Sequence, residues 1–229
     1  MTAPGQTATA TPPAAIVLAA GLGRRLGGRP KAALRIGGTS LLERQLHTLR
    51  AAGIGDIGVV IGPYADTLAP LAERGGARVI RHPDRSETGA PDLVASQRLA
   101  LRSHLQRHRG TDLLLVLADL PALQPDDIRP LLDAWRRRPA DVLAQRPVVN
   151  GVQGHPLLLA WSAALAVDAL PGHLGVRDLL AGAPAVLQTL PSDRPAYVTD
   201  LDTPQDLAAL RARCHPQAVD WPAPWQDRA

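Results

Sequence analysis

The stretch I-V-L-A-A-G-L-G-R-R-L-G-G-R-P-K, residues 16–31, decides how the whole chain is read. It opens with a short apolar run, 16–20, of the kind shown by a strand buried on both faces. It then breaks into a loop with glycines at 21, 23, 27 and 28, carrying Arg24, Arg25, Arg29 and Lys31. Glycine lets backbone N–H groups close on an anion, while arginine and lysine neutralise phosphate charge. The natural ligand of such a loop is a polyphosphate. A plain turn with solvated arginines is the simpler alternative, and four basic residues within eight count against it. Two other phosphate motifs do not fit. G-x-G-x-x-G fails at Leu26, with Glu43 only a loose match for its ribose-binding acid. G-x-x-x-x-G-K-[ST] fails because Lys31 follows Pro30 and precedes Ala32.

Outward from this loop, apolar runs of strand length alternate with segments of helical period, which predicts a parallel sheet with helices on both faces. Strands are expected at 16–20, 57–61, 77–80, 113–118, 141–144 and 185–190, and helices at 40–52, 64–73, 91–104, 125–138, 161–170, 176–181 and 203–213. Ser40 and Glu43 make a capping box at the first helix, and Gly53 stops it. The run 113–118 is the most apolar strand and belongs at the centre. Asn150-Gly151 marks a tight turn in a hairpin.

A chain of 229 residues suits one domain, expected over 14–213, after a disordered leader at 1–13 and before a Pro- and Trp-rich tail at 214–229. That tail is expected either to lie against the surface or to be disordered. A net charge of +4 without a long basic block argues against nucleic acid as a partner. The single cysteine, Cys214, excludes an internal disulfide and a multi-cysteine metal site. The first residues lack a basic start and an apolar core, so they do not read as a secretory signal. No apolar run approaches the roughly 20 residues a membrane span needs. No membrane is expected, and a cytoplasmic enzyme is the default.

Two acidic stretches carry the remaining chemistry. Asp119 directly follows the most apolar strand, where the carboxyl end of an open α/β sheet places its ligands. A carboxylate there can meet a metal held by phosphates. The alternative is a helix cap, although Gln124 and Pro125 already open the next helix. In T-D-L-D-T-P-Q-D-L, residues 199–207, Asp202 reads fully as an N-cap before Pro204. Asp200 has no such explanation and alternates onto the same side as Asp202. Either is a candidate for metal contact.

The pattern L-A-A-G-x-G-x-R-x-G-(G)-x-P-K resembles the opening of the MobA-like nucleotidyltransferases that act on the molybdenum cofactor, and more broadly of sugar-phosphate nucleotidyltransferases. Over about 14–210 the resemblance implies a Rossmann-like three-layer α/β/α domain of the nucleotide-diphospho-sugar transferase type, with a mostly parallel sheet. It implies that Leu18, Ala19, Ala20, Gly21, Gly23, Arg24, Arg25 and Lys31 bind the nucleotide, with Arg25 and Lys31 holding the leaving pyrophosphate. It makes Asp119 catalytic and a magnesium ligand, completed by Asp200 or Asp202. Ala118 stands where the family has glycine. The segment 81–96 is similar to one that contacts base and ribose, with Asp84 (or Asp92), Gly89 and Ser96 matching in type; a solvated surface loop is the alternative. N-G-V-Q-G-H-P at 150–156 is similar to the G-x-x-G-H-P element of the cytidylyltransferase branch, which makes His155 an acceptor-binding candidate; a lone histidine is as readily structural. Arg177 survives from G-D-x-G-x-R, although His173 replaces the aspartate.

The implied reaction is transfer of CMP from CTP to the phosphate of molybdopterin, with Mg2+ and release of pyrophosphate. Transient contact with a target molybdoenzyme follows from that acceptor. CTP is expected because Ala20 stands where the guanylyl branch has glycine, and its methyl narrows the space at the base. The alternatives are a guanylyl- or sugar-phosphate nucleotidyltransferase, or a catalytically silent nucleotide-binding partner of a molybdoenzyme. Retention of Arg25, Lys31, Asp119 and Asp200 counts against a silent module. An NAD-dependent oxidoreductase fails on the incomplete glycine pattern.

Overall fold

The structure, a computed structural model, describes residues 11–83 and 93–226. Its strands are β1 (Ala14–Ala19), β2 (Arg35–Ile36), β3 (Thr39–Ser40), β4 (Ile57–Ile61), β5 (Arg78–Arg81), β6 (Leu113–Leu117), β7 (Ala144–Val149), β8 (Val152–Gln153), β9 (Leu157–Leu159), β10 (Leu187–Ser192) and β11 (Val219–Asp220). Its helices are α1 (Leu41–Ala51), α2 (Ala65–Arg74), α3 (Leu93–Arg107), α4 (Pro125–Arg136), α5 (Trp161–Ala169), α6 (Val176–Gly182) and α7 (Pro204–Cys214).

The main sheet runs β10-β7-β9-β6-β1-β4-β5, with β8 paired to β7. Pairings among β6, β1, β4 and β5 are parallel, as is β7 with β10, while β9 runs antiparallel to both its neighbours. This is the mostly parallel, Rossmann-like α/β sheet expected. Its two faces are both covered. Ala15, Val17 and Ala19 of β1 join one core cluster with Leu42, Leu68 and Ile128 from α1, α2 and α4. Ile16 and Leu18 join the other with Leu101, Ala163 and Leu180 from α3, α5 and α6. Burial on both faces is why β1 reads as a continuous apolar run rather than an alternating one.

The connection from β1 leads to β4 and β5 on one side, and β6 returns on the other. The carboxyl ends of β1 and β6 therefore flank the point where strand order reverses, the place such sheets reserve for ligands.

Several expectations shift. The strand expected at 141–144 lies at Ala144–Val149, because Arg146 and Pro147 hid it from a pattern search. The strand expected at 185–190 begins two residues later, and Pro191 is tolerated because β10 is the outer strand. Asn150 and Gly151 both take positive φ, 50° and 81°, in the turn between β7 and β8. The tail does more than lie on the surface. Val219 pairs with Ile36 in a small antiparallel sheet, β11-β2-β3, and Trp221 is 1% exposed beneath it. No helix among the described residues is long and apolar enough to cross a membrane.

Candidate active site

The loop after β1 is shaped by its glycines. Gly23 (φ 58°) and Gly27 (φ 76°) bracket a single 3-10 turn, Arg24–Leu26, closed by bonds from the Leu26 and Gly28 amides to the Gly23 carbonyl. A Cβ on Gly23 would stand 2.1 Å from the Arg29 carbonyl oxygen, so no other residue fits there. Leu26, where a dinucleotide loop needs glycine, is buried with Leu34, Leu201 and Trp221 and anchors the loop. A second short turn, Lys31–Ala33, carries Lys31 to the carboxylates of Asp119 and Asp202. A Gly23→Ala chain is expected to lose at least about tenfold in triphosphate affinity, since the loop cannot close at a backbone contact that tight; titration calorimetry reads it.

Asp119 is carried by the turn after β6. The Gln45 amide of α1 donates to the carbonyls of Leu117 and Leu120, fixing that turn from below. The Leu201 amide donates to the Asp119 carbonyl at 2.9 Å, which ties the segment bearing Asp200 and Asp202 to the same place. Lys31 Nζ donates to Asp119 Oδ2 at 2.9 Å and also to Asp202 Oδ1, and Arg25 lies 3.7 Å from the other Asp202 oxygen. Burial works against the Lys31 charge, but the two carboxylates outweigh it and its pKa is raised. Asp200 keeps an open face to solvent. Partial desolvation, then the nearby charges of Asp119 and Asp202, push its pKa up to about 6.

Asp202 is not the helix cap. Thr203 caps α7, its hydroxyl accepting from the Asp206 amide, while the Asp206 carboxylate accepts from the amides of Asp202 and Thr203. Proline at N1 and a threonine cap fit the sequence as well as an aspartate one register earlier would, which is why the sequence misassigns it. The Asp202 carboxylate is thereby released towards Lys31 and Arg25.

Leu18, Ala19, Gly21, Gly23, Arg24, Arg25, Lys31, Asp119 and Asp202 line one cavity of about 430 Å3. Leu22, Ala32 and Ala118 complete it. The site residues anticipated at β1, its loop, β6 and the α7 start thus converge. Ala20, Ser96, His155, Arg177 and Asp200 do not line it, Asp200 acting on it only through its charge beside Asp119 and Asp202. Ala20 is buried with Val60 and Ile80, and its Cβ lies against position 62. Ser96 is buried within α3, and Arg177 is exposed at the start of α6. Asp84, Gly89 and Asp92 lie outside the described residues.

His155 sits beside β6, partly buried as a residue but with its ring Nδ1 shut off from solvent. Burial first, then the Arg146 guanidinium, lowers its pKa to about 4, against a weaker opposing hydrogen bond to the Leu115 backbone. The ring is neutral at pH 7 in the folded chain, whereas the unfolded chain takes up a proton near 6.5. Its contribution to stability is therefore full above about 6.5 and is lost as pH falls towards 4. His155→Gln is expected to lose less stability than the native chain between pH 7 and pH 4, the difference being on the order of 2–3 kcal/mol in denaturant unfolding. A residual slope should persist, because burial also lowers the His104 pKa.

One residue that shapes the site carries no motif in the sequence, Gln45. Gln45 is a polar residue on an otherwise apolar helix face and 3% exposed, which is the signal that marks it.

Among the described residues no three acidic, histidine or cysteine side chains stand arranged to hold a metal ion, but the Asp119 turn carries one open donor. Asp119 Oδ1 is buried without a hydrogen-bond partner, and two further carboxylates lie close by. Oxygen donors of this kind suit a hard cation.

A glycine loop with cations, facing carboxylates across the switch point of an α/β sheet, defines a nucleotide-handling enzyme. The chain belongs to the MobA-like NTP transferase family, whose domain matches residues 15–192. It is 31% identical over 186 residues to a phosphoenolpyruvate guanylyltransferase of Nocardia farcinica, covering 78% of this chain and 74% of that one. It is 26% identical to a nicotine blue oxidoreductase of Paenarthrobacter nicotinovorans, covering 85% and 94%. A bifunctional IPC transferase and DIPP synthase of Rubrobacter xylanophilus is 42% identical over 89 residues, 37% of this chain, and the match spans only 20% of that enzyme. Among solved structures, Rv0371c from Mycobacterium tuberculosis superposes with a TM-score of 0.72 at 28% identity, covering 89% of this chain and 98% of that one. A manganese complex of the same protein gives a TM-score of 0.66 at 25% identity, covering 86% and 96%. Family membership supports an enzyme of the nucleotidyltransferase kind.

Proposed function

We propose that the chain transfers a nucleoside monophosphate from a nucleoside triphosphate to a phosphorylated acceptor. The observation that carries this reading is the convergence of Arg25, Lys31, Asp119 and Asp202 on one cavity behind a glycine loop. An acceptor phosphate oxygen attacks the α-phosphorus, the bond from that phosphorus to the bridging oxygen breaks, and pyrophosphate leaves with the bridging oxygen. Arg25 and Lys31 hold the charge that accumulates on the leaving group, in a site where fixed charges act without reorganisation. Backbone amides of the loop position the phosphates. Asp119, with Asp200 or Asp202, would hold a divalent cation, magnesium in our reading, which supplies further charge neutralisation when bound. Manganese in the Mycobacterium tuberculosis relative supports a divalent cation at this fold.

The preferred donor and acceptor are CTP and molybdopterin, on the resemblance of Leu18-Ala19-Ala20-Gly21 and Gly154-His155-Pro156 to the cytidylyltransferase branch. Ala20 lies outside the cavity lining, so its methyl can act on base choice only through the course of the backbone. A second reading, guanylyl transfer to a phosphorylated small acid, is favoured by the similarity to the Nocardia enzyme. The test is pyrophosphate release with each of four triphosphates, with and without molybdopterin or phosphoenolpyruvate. CTP with molybdopterin is the expected pair; GTP with phosphoenolpyruvate selects the second reading, and no release with any pair overturns the transfer reaction.

A further inference from the structure

The back of the anion loop is held by a residue far from it in sequence. The Tyr64 hydroxyl, just before α2, reaches the Leu22 carbonyl at 2.9 Å and the Gly28 carbonyl, and shares its one proton between them. Leu22 and Gly28 are the two ends of the segment that carries Gly23, Arg24 and Arg25. One side chain therefore spans the neck of the loop. Its partly buried position raises the hydroxyl pKa, which keeps the donor protonated.

Tyr64 is in turn held by the C-terminal tail. Trp225 meets its ring edge-on at a centroid distance of 5.1 Å and donates from Nε1 to Thr67 Oγ1 at 3.3 Å. Four residues earlier the tail is fastened independently. β11 pairs with β2, Asp220 forms an ion pair with Arg35, and Trp221 is buried in the cluster that also holds Leu26. The Arg29 guanidinium lies 5.4 Å above the Trp221 ring, at the other end of the loop. Two tryptophans of the tail thus reach both sides of the phosphate loop without lining the cavity.

We propose that Tyr64 is a positioning residue of the anion loop and that the tail is the strap that sets it, so that residues 219–225 belong to the triphosphate-binding machinery. The inference rests on the cavity being the triphosphate site, and it makes tail integrity a determinant of substrate affinity rather than of the chemical step. Loss of the Tyr64 hydroxyl frees the loop neck, and loss of Trp225 frees Tyr64. Both raise the entropy that the loop must give up on binding phosphate.

Tyr64→Phe keeps the ring contact and removes only the hydroxyl; Trp225→Ala removes the strap; the double variant tests their coupling. Two readouts are taken on the full chain. Pyrophosphate binding by calorimetry should weaken about five- to tenfold in each single variant, the scale of one hydrogen bond, with the double variant no weaker than the worse single. Tryptic cleavage after Arg24 and Arg25 should accelerate by a similar factor in the same variants while other sites keep their rates. Should the native chain not bind pyrophosphate, the functional reading fails, and the cleavage rates still decide the strap. Native cleavage rates in folded Tyr64→Phe would overturn the proposal, as would additive losses in the double variant.

Discussion

Lys31→Ala is expected to slow turnover by about 10²- to 10³-fold at saturating triphosphate, the scale of losing one preorganised charge-stabilising donor. The reason lies in where the ammonium stands. It is held at 2.9 Å from Asp119 and against Asp202, its side chain only 19% exposed, at the rim of the cavity the triphosphate would fill. Its raised pKa keeps it charged across neutral and mildly alkaline pH, so the deficit should not vary over that range. The sequence presents Lys31 as an exposed loop cation, whose removal would leave folding untouched. Its burial corrects that expectation. Without the ammonium, the charges of Asp119, Asp200 and Asp202 are left with Arg25, 3.7 Å from Asp202, as counter-charge, and the thermal midpoint of the variant should fall. Pyrophosphate release and calorimetric unfolding measure the two effects separately. A folded Lys31→Ala chain with native turnover would remove the loop from the chemistry.

What the sequence disclosed, and what it concealed, follows from the range of the interactions involved. The loop at 21–31 was legible because its chemistry is local: glycines fix the turn and the cations are neighbours in the chain. Strands β1, β4 and β6 were legible because burial on both faces leaves an unbroken apolar signature. Strand β7 was displaced because Arg146 and Pro147 look like loop residues until β10 pairs alongside them. The tail was opaque for the same reason. Val219 and Trp221 find their partners in Ile36 and Leu26, more than 180 residues away, and nothing within the tail itself reports that. The Asp202 assignment failed at a finer scale. D-T-P offers two adjacent capping residues, and only the backbone register, Thr203 being extended at φ −123° and ψ 163°, decides between them. The Ala20 methyl, expected to narrow the space at the base, packs with Val60 and Ile80 outside the cavity lining, partners about 40 and 60 residues away that the local sequence does not report.

That corrected register sharpens the test of the carboxylate cluster. Asp119→Asn keeps the side-chain shape and removes its charge, and it should abolish divalent-cation-dependent turnover. Its thermal midpoint should stay near the native value, because three carboxylates crowd one ammonium and the loss of one relieves Asp200, whose pKa the other two raise. Asp202→Asn is no longer confounded by capping. Thr203 and Asp206 supply the cap, so the variant should unfold at the native temperature whatever it does to catalysis. Thr203→Ala provides the converse control: it should cost about 1 kcal/mol of stability by denaturant unfolding, with the cavity charges intact. Activity across the three then separates roles that a single substitution would merge. If Asp202→Asn turns over at the native rate and Asp119→Asn is dead, Asp200 is the carboxylate that completes the cation site beside Asp119. If Asp119→Asn is itself active, the cluster is a counter-charge for Lys31 and has no part in the transfer.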